Sequence, residues 1–490
     1  MKKVIVVGAG VSGLSAGIYA RLAGFDVTVC ERHRVPGGNL TGWNRGEYHI
    51  DNCLHWLTGT NPASPLYKMW EDLGALGDVE IYQSDSLFTC EYEGQTLSLS
   101  NDVEKFKNDM LLISPEDKKE INSLIKAIKA VSYIQGIGGK KHNRGANLFQ
   151  LIDALPSLAK YYKLTAGELA KRFKHPLLRR FVESFFTENF GCIAMIYVFS
   201  SFCSENAGIP KGSSCAMANR MAEKFSRLGG ELLLGREITE INRDGDTAVS
   251  VSFADGETMK ADYIIITAEP AVAFPKLLGM PLPKYFAKQY AQQKLIRFSS
   301  YQCAIACDAD ELPFKGDLTF ELPVKYRIGL MSKYLILREF SHESDFAPAG
   351  KNIIQTMVYC SERSAENFIK LRDRHRDLYE KRKKKMADMA IAAISEKFPQ
   401  LSGKLRCIDV WTPATYKRYV DSEVGSFMGF AFSSKVIPQK LKNAVTGLKN
   451  VFMASQWLQA PGGLPIAAES GREAVKRILS REKRKKQPAG

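Results

Sequence analysis

The sequence predicts an α/β chain, with a parallel-sheet domain built from discontinuous segments and joined to a mixed α+β domain. Three observations carry this. The chain opens on an apolar, β-branched run, Val4-Ile-Val-Val7, which runs into glycines and then a helical pattern. After a mainly helical stretch, strand patterns return from Glu231 onward. At 490 residues the chain is too long for one compact core, so two or three domains are expected.

The first element is the most informative. Val4–Val7 suits a buried parallel strand. Gly8-Ala-Gly10-Val11-Ser12-Gly13 follows, then a helix from Leu14, then the strand Asp26–Glu31. Gly8 permits the tight turn, Gly10 lets backbone approach a pyrophosphate, and Gly13 lets the helix pack against the strand. The helix start at Val11 and Ser12 offers free N–H groups and partial positive charge to phosphates. Glu31 lies 18 residues beyond Gly13, close to the spacing of an acid that binds ribose hydroxyls. This is a Rossmann-type dinucleotide site, and the spacing alone does not separate NAD from FAD.

Composition narrows the class. The chain is 45% apolar and 25% charged, which excludes a wholly disordered chain and a polytopic membrane protein. Its longest apolar stretch, Gly191–Phe202, is 12 residues, and a bilayer needs about 20. The net charge of +15 is concentrated: Lys370–Lys385 and Arg472–Lys486 each carry +6. Ten cysteines without a C-x-x-C pair do not form a disulfide scaffold. The N-terminal apolar run is too short for a secretory h-region. A reduced, cytoplasmic protein is expected.

Further along, residues 101–209 read as mostly helical. Ser114-Pro115 reads as an N-cap with Pro at N1, and Thr165 with Glu168 as a capping box. Phe181, Phe185, Phe186, Phe190, Tyr197, Phe199 and Phe202 fill helix core or wall an apolar ligand site. A helix from about Cys215 to Leu228 ends at Gly229-Gly230. Strands follow at Glu231–Leu234, Arg236–Ile241, Thr247–Phe253 and Asp262–Ile266, a return to the first domain. Gln302–Cys307 and Ile353–Tyr359 read as strands, and Ser364–Ile394 as one long helix. Val451–Ala454 is a last strand and Ile466 to about Arg477 a last helix.

After Glu31 come Arg32 and then Gly37-Gly38-Asn39. An acid followed by a Gly-Gly pair resembles the extended fingerprint of two-domain FAD oxidoreductases, although that group often has Arg where this chain has Asn39. The order of motifs over nearly the whole chain resembles the phytoene desaturase, carotenoid isomerase and retinol saturase group. The motifs are Gly37-Gly38, Pro210-Lys-Gly212, Gly229-Gly230, Asp262, Thr412-Pro413 with Tyr416 and Gly425, and Gly462-Gly463-Leu464-Pro465. The wider superfamily includes amine oxidases.

The resemblance implies FAD as cofactor. It implies that Ile238 offers backbone to adenine and that the Gly463-Leu464-Pro465 helix start faces the flavin pyrimidine ring. A helix N-terminus there stabilises the negative charge that arrives with hydride. Gln456 stands where the family commonly has Asp, so it can hydrogen-bond but carries no charge. The implied division is an FAD-binding domain at 1–75, 209–272 and 420–490, and a substrate domain at 76–208 and 273–419. The implied function is oxidation, reduction or isomerisation at carbon–carbon bonds of a long apolar, carotenoid- or retinoid-like lipid. A flavin amine oxidase and a lipid carrier of the Rab-escort type are the alternatives.

No second GxGxxG follows a strand, so net redox chemistry needs an external electron donor or acceptor. His55 is the candidate catalytic residue, able to transfer a proton or to hydrogen-bond the flavin ring. Asp51 reads as a residue that orients backbone, and Trp56 and Trp457 pack near the flavin or fill core. His49, Cys53 and His55 match no standard metal spacing, so no metal is expected. The basic segments suit a solvated helix face or an anionic membrane surface, and nothing reads as a nucleic-acid module.

Overall fold

The computed structural model describes residues 1–135, 144–293, 295–308, 312–327, 329, 331–436 and 439–486. The apolar runs read from sequence form one parallel sheet. Its strand order is Val451–Met453, Tyr263–Ile266, Lys3–Val7, Asp26–Glu31 and Glu231–Leu234. The central strands are buried on both faces, which explains their unbroken apolar character. Helix Val11–Leu22 crosses from the first strand to the second. The C-terminal helix, Leu464–Lys486, lies against it, and the Ser15 hydroxyl donates to the Ala468 carbonyl at 2.6 Å.

The close packing is made by glycines. A Cβ at Gly13 would stand 1.9 Å from the Gly8 carbonyl oxygen, and one at Gly471 would stand 2.6 Å from the Ser12 carbonyl oxygen. Gly37, at φ +115°, donates to the Ala9 carbonyl and pairs with Gly10 as an isolated parallel bridge.

A seven-stranded sheet forms the second layer. Its order is Leu405–Trp411, Ser299–Cys307, Asn352–Cys360, Tyr334–Glu339, Asp317–Glu321, Ser86–Tyr92 and Gln95–Ser100. All its pairs are antiparallel except Asp317–Glu321 with Ser86–Tyr92. Alternation sorts its two faces. Ile305, Leu335, Leu337, Ile354 and Val358 pack on the back against Ala390, Ala393 and Ile394. Ile336, Met357 and Tyr359 point to the front, toward the helices that run from Val103 to Phe202.

Several local expectations change. The 364–394 segment is two helices, Glu362–Arg374 and Arg376–Lys397, broken at His375, whose backbone is non-helical at φ −142° and ψ 68°. Phe368, Ile369, Tyr379 and Met386, from both sides of this break, bury together around Tyr301. Ser114 stands at the N-cap of a short 3-10 turn, Pro115–Asp117, with Pro115 at its start as read, but its side chain caps no amide; its hydroxyl donates to the Asp117 carboxylate, which also accepts from the Lys174 and His175 amides. The last helix continues through the basic tail. The Thr165–Glu168 capping box is present as read.

Gly13→Ala forces a methyl into the Gly8 carbonyl. It is expected to lower stability by about 1–3 kcal/mol, measured by urea unfolding.

A candidate flavin and substrate cavity

One cavity of about 690 Å³ runs between the two layers. Of the residues read from sequence as cofactor-binding, it brings together Gly8, Gly10, Val11, Ser12, Glu31, Arg32, Gly37, Gly38, Asn39, Ile238, Gln456, Gly463, Leu464 and Pro465, and it also takes in His55. Gly13 does not line it, because its position is spent on the contact with Gly8.

The polar end is built from backbone. Helix Val11–Leu22 starts at Gly10 with no capping side chain and no acid in its first turn. Its first amides therefore have no intrahelical partner and meet no competing carboxylate. Helix Leu464–Lys486 also has no acid in its first turn and starts in the same cavity. Gly462 passes Gly429 so closely that a Cβ would stand 2.7 Å from its Cα. The Ser426 hydroxyl is buried at the lining without a partner among the described residues. Two open helix starts, a glycine cradle and an orphaned hydroxyl fit a diphosphate-bearing cofactor.

The side chains around this end are held as follows. Glu31 accepts from the Ala9 amide (2.8 Å) and the His33 amide (2.9 Å), which fixes the glycine turn and leaves acceptor capacity toward the cavity. The Arg32 guanidinium is committed to the Arg418 and Tyr419 carbonyls and to Asp421. The Asn39 amide donates to the Phe427 carbonyl at 3.0 Å. Asp51 accepts from the Ser214 amide and hydroxyl, each at 2.7 Å, and from the amides of Cys53 and Leu54, so it shapes the turn leading to His55. Among the described residues, no group of three His, Cys, Asp or Glu side chains is arranged to hold a metal.

The other end is apolar. Trp56, Phe88, Phe185, Phe186, Ile336, Met357 and Tyr359 are among its walls. Of the seven helix aromatics read from sequence, Phe185, Phe186, Phe190 and Tyr197 line the cavity, and Phe181 and Phe199 pack behind them. Trp457 does both, since it lines the cavity and packs edge-on to Phe430 at 4.9 Å.

Sequence reading missed several lining residues. Met357 and Tyr359 sit on a strand that was read, and two-residue alternation would have put them on one face. Asp317 and Thr319 come from a strand that was not read. Asp317 lies opposite Arg338 in the sheet register, and its carboxylate stands 3.6 Å from Arg338 Nε and 3.4 Å from His55 Nδ1. Burial, helped by the Arg338 charge, pulls the His55 pKa down against the pull of Asp317. The imidazole is therefore neutral near pH 7.

Glu269 was also missed. It lines the cavity, is 4% exposed, and accepts from the Tyr290 hydroxyl (3.1 Å) and the Glu423 amide (2.9 Å). Burial raises its pKa from 4.5 to about 7.

Fold and site together define a dinucleotide-dependent oxidoreductase. Residues 11–303 match the family model "Flavin containing amine oxidoreductase", and the chain belongs to that family. Its cofactor is FAD. It is a flavin oxidoreductase similar to carotenoid desaturases and isomerases. It is 24% identical to the prolycopene isomerase of Daucus carota over 86% of this chain and 71% of that protein. It is 25% identical to a lycopene-forming phytoene desaturase of a Paracoccus species, a match over 57% of each chain. An oxidoreductase from Methanosarcina mazei shares the fold, with a TM-score of 0.61 and 17% identity over 98% of this chain and all of that one. So does putrescine oxidase bound to putrescine, at 0.61 and 15% over 98% and 99%.

Glu269 gives a pH signature. Between about pH 4.5 and 7 the unfolded carboxyl is ionised while the folded one keeps its proton, so stability falls as pH rises through this window and is level above it. A change from 4.5 to about 7 corresponds to about 3 kcal/mol. Glu269→Gln is expected to lose that slope, seen by comparing urea midpoints at about pH 5 and pH 8.

Proposed function

We propose that the chain is an FAD enzyme acting on carbon–carbon bonds of a long apolar, carotenoid- or retinoid-like molecule. The observation that carries this reading is the continuity of the glycine-built end with the aromatic end in a single cavity. In this reading Gly8, Gly10, Val11 and Ser12 hold the diphosphate, Glu31 the ribose, and Gly37, Gly38 and Asn39 the second turn against the cofactor. Ile238 meets adenine through its backbone, and Gln456, Gly463, Leu464 and Pro465 meet the ring. Arg32 contributes backbone only, since its guanidinium is engaged elsewhere.

Bound FAD supplies hydride chemistry. The chain supplies the rest. The aromatic walls exclude water and align an extended substrate. The helix start at Leu464 stabilises negative charge at the end of the cavity it faces. Neutral His55 offers a base for a proton leaving or returning to carbon. Desaturation and saturation need an external electron acceptor or donor, and isomerisation needs none in net.

The family model's name and the fold shared with putrescine oxidase favour amine oxidation as a second reading. Against it, the carboxylate beside His55 is already paired with Arg338 and is not free for an ammonium. The basic helices Glu362–Arg374 and Arg376–Lys397 contribute to a further part of the proposal, an anionic membrane surface. Lys381, Arg382 and Lys385 are exposed there with Leu378, on a helix whose far half packs on the back of the sheet, away from the cavity. No helix among the described residues is long and apolar enough to cross a membrane.

The purified protein is expected to be yellow, to bleach with dithionite and to release FAD with acid. Polyene lipids screened against both redox states should change their absorption. Peroxide release from amines, with no change in the polyenes, would overturn the reading. Lys381→Glu with Arg382→Glu and Lys385→Glu should abolish salt-sensitive co-sedimentation with phosphatidylserine vesicles, and unchanged co-sedimentation would remove the membrane surface from it.

A further inference from the structure

The front face of the seven-stranded sheet is apolar at Ile336, Met357 and Tyr359 and sharply polar beside them. Asp317 and Arg338 face each other on neighbouring strands, and the Arg338 side chain is 5% exposed. The Asp317 carboxylate is shared, with Oδ1 at 3.6 Å from Arg338 Nε and Oδ2 at 3.4 Å from His55 Nδ1. Asp51, Cys53, His342, Glu339 and Tyr359 are the other ionisable groups that interact with them. Holding a charged pair out of water is costly, and a pure hydrocarbon ligand returns nothing for it.

We propose that His55, with Asp317 and Arg338 positioning it, recognises a hydroxyl group carried by an otherwise apolar substrate. This deepens, and rests on, the reading of the aromatic chamber as the substrate site. The argument is one of hydrogen-bond capacity. An ionised carboxylate only accepts, so His55 must carry its hydrogen on Nδ1 to satisfy Asp317. A neutral imidazole has one N–H, and its Nε2 is then an acceptor. No protein donor reaches Nε2 among the described residues, and the ring lines the cavity with its side chain 26% exposed. Nε2 is therefore an unfilled neutral acceptor set in an aromatic wall.

A ligand that matches it must donate a hydrogen bond and be uncharged. A hydroxyl meets both conditions. An ammonium would be drawn toward a carboxylate already neutralised by Arg338, and an ionised carboxylic acid has no donor. A hydrocarbon covers Nε2 and leaves it unpaired, which disfavours binding. Asp317 and Arg338 are positioning residues. Arg338 pairs with the carboxylate across the strands, and the carboxylate, by accepting from Nδ1, fixes the tautomer.

The test uses the FAD-loaded full chain in detergent micelles with three probes: geranylgeraniol, its methyl ether and the corresponding hydrocarbon. Binding is read from quenching of tryptophan fluorescence and from perturbation of the flavin spectrum. The alcohol should bind at least tenfold more tightly than the other two. His55→Phe should bring all three within about twofold while hydrocarbon binding is retained.

Asp317→Asn gives a second readout that a structural role would not move. Arg338 favours the amide oxygen on its own side, which turns the NH2 toward His55 Nδ1 and shifts the imidazole hydrogen to Nε2. The ether, which only accepts, should then gain at least tenfold relative to its binding by the unaltered protein. Equal binding of all probes by the unaltered protein, an alcohol preference that survives His55→Phe, or no gain for the ether would overturn the inference and leave the chamber reading standing. Absence of binding by all three would overturn both.

Discussion

The structure depends on backbone meeting backbone where no side chain intervenes. Gly13 lies on the Gly8 carbonyl, Gly37 and Gly38 lie on Gly10, and Gly462 lies on Gly429. The first contact is local, the other two join segments about thirty residues apart, and each includes a residue at the edge of the same cavity. The contacts that seat helices Val11–Leu22 and Leu464–Lys486 therefore also bring their unpaired amides to one place. Packing and phosphate chemistry make the same demand here, which is the absence of a Cβ.

This is why the glycine end was legible in the sequence. Its information is local: Gly8, Gly10, Gly13 and Glu31 lie within one strand–helix–strand unit, and a single spacing encodes both turn and acid. The buried strands were legible for a related reason, since a strand covered on both faces must be apolar throughout. The seven-stranded sheet was only partly legible. Ser299–Cys307 and Asn352–Cys360 are long and largely buried, whereas Asp317–Glu321 is five residues with a charge at each end. Its place depends on pairing with Ser86–Tyr92, a partner more than 200 residues away, and no short window carries that signal.

The polar residues of the chamber show the same limit more sharply. His55 was legible as an isolated histidine near the glycine end. Its role depends on Asp317, 262 positions later, and on Arg338 across a strand pair. Glu269 ends a readable strand, but its environment comes from Tyr290 and Glu423. In both cases the chemistry of the side chain is set by burial and by partners that only the tertiary fold supplies. The break at His375 belongs here too. The helical pattern runs through it, and only the joint burial of Phe368 and Tyr379 around Tyr301 accounts for two helices where the sequence suggests one.

Burial acts on His55 and Glu269 in the same direction electrically and in opposite directions chemically. It removes charge from both, so the imidazole loses a proton and the carboxyl keeps one. His55 thereby acts as a neutral hydrogen-bonding group near pH 7, and Glu269 does so below about pH 7. Beside His55 the charges of Asp317 and Arg338 offset each other. On the proposed reading, an apolar substrate and the FAD diphosphate share one cavity whose two ends differ in chemistry. The diphosphate meets backbone dipoles, which need no counter-ion. The proposed apolar substrate would meet aromatic rings and the neutral acceptor of His55. Selectivity at that acceptor follows from hydrogen-bond parity rather than charge: it separates a donor from a non-donor where the aromatic walls alone would accept both.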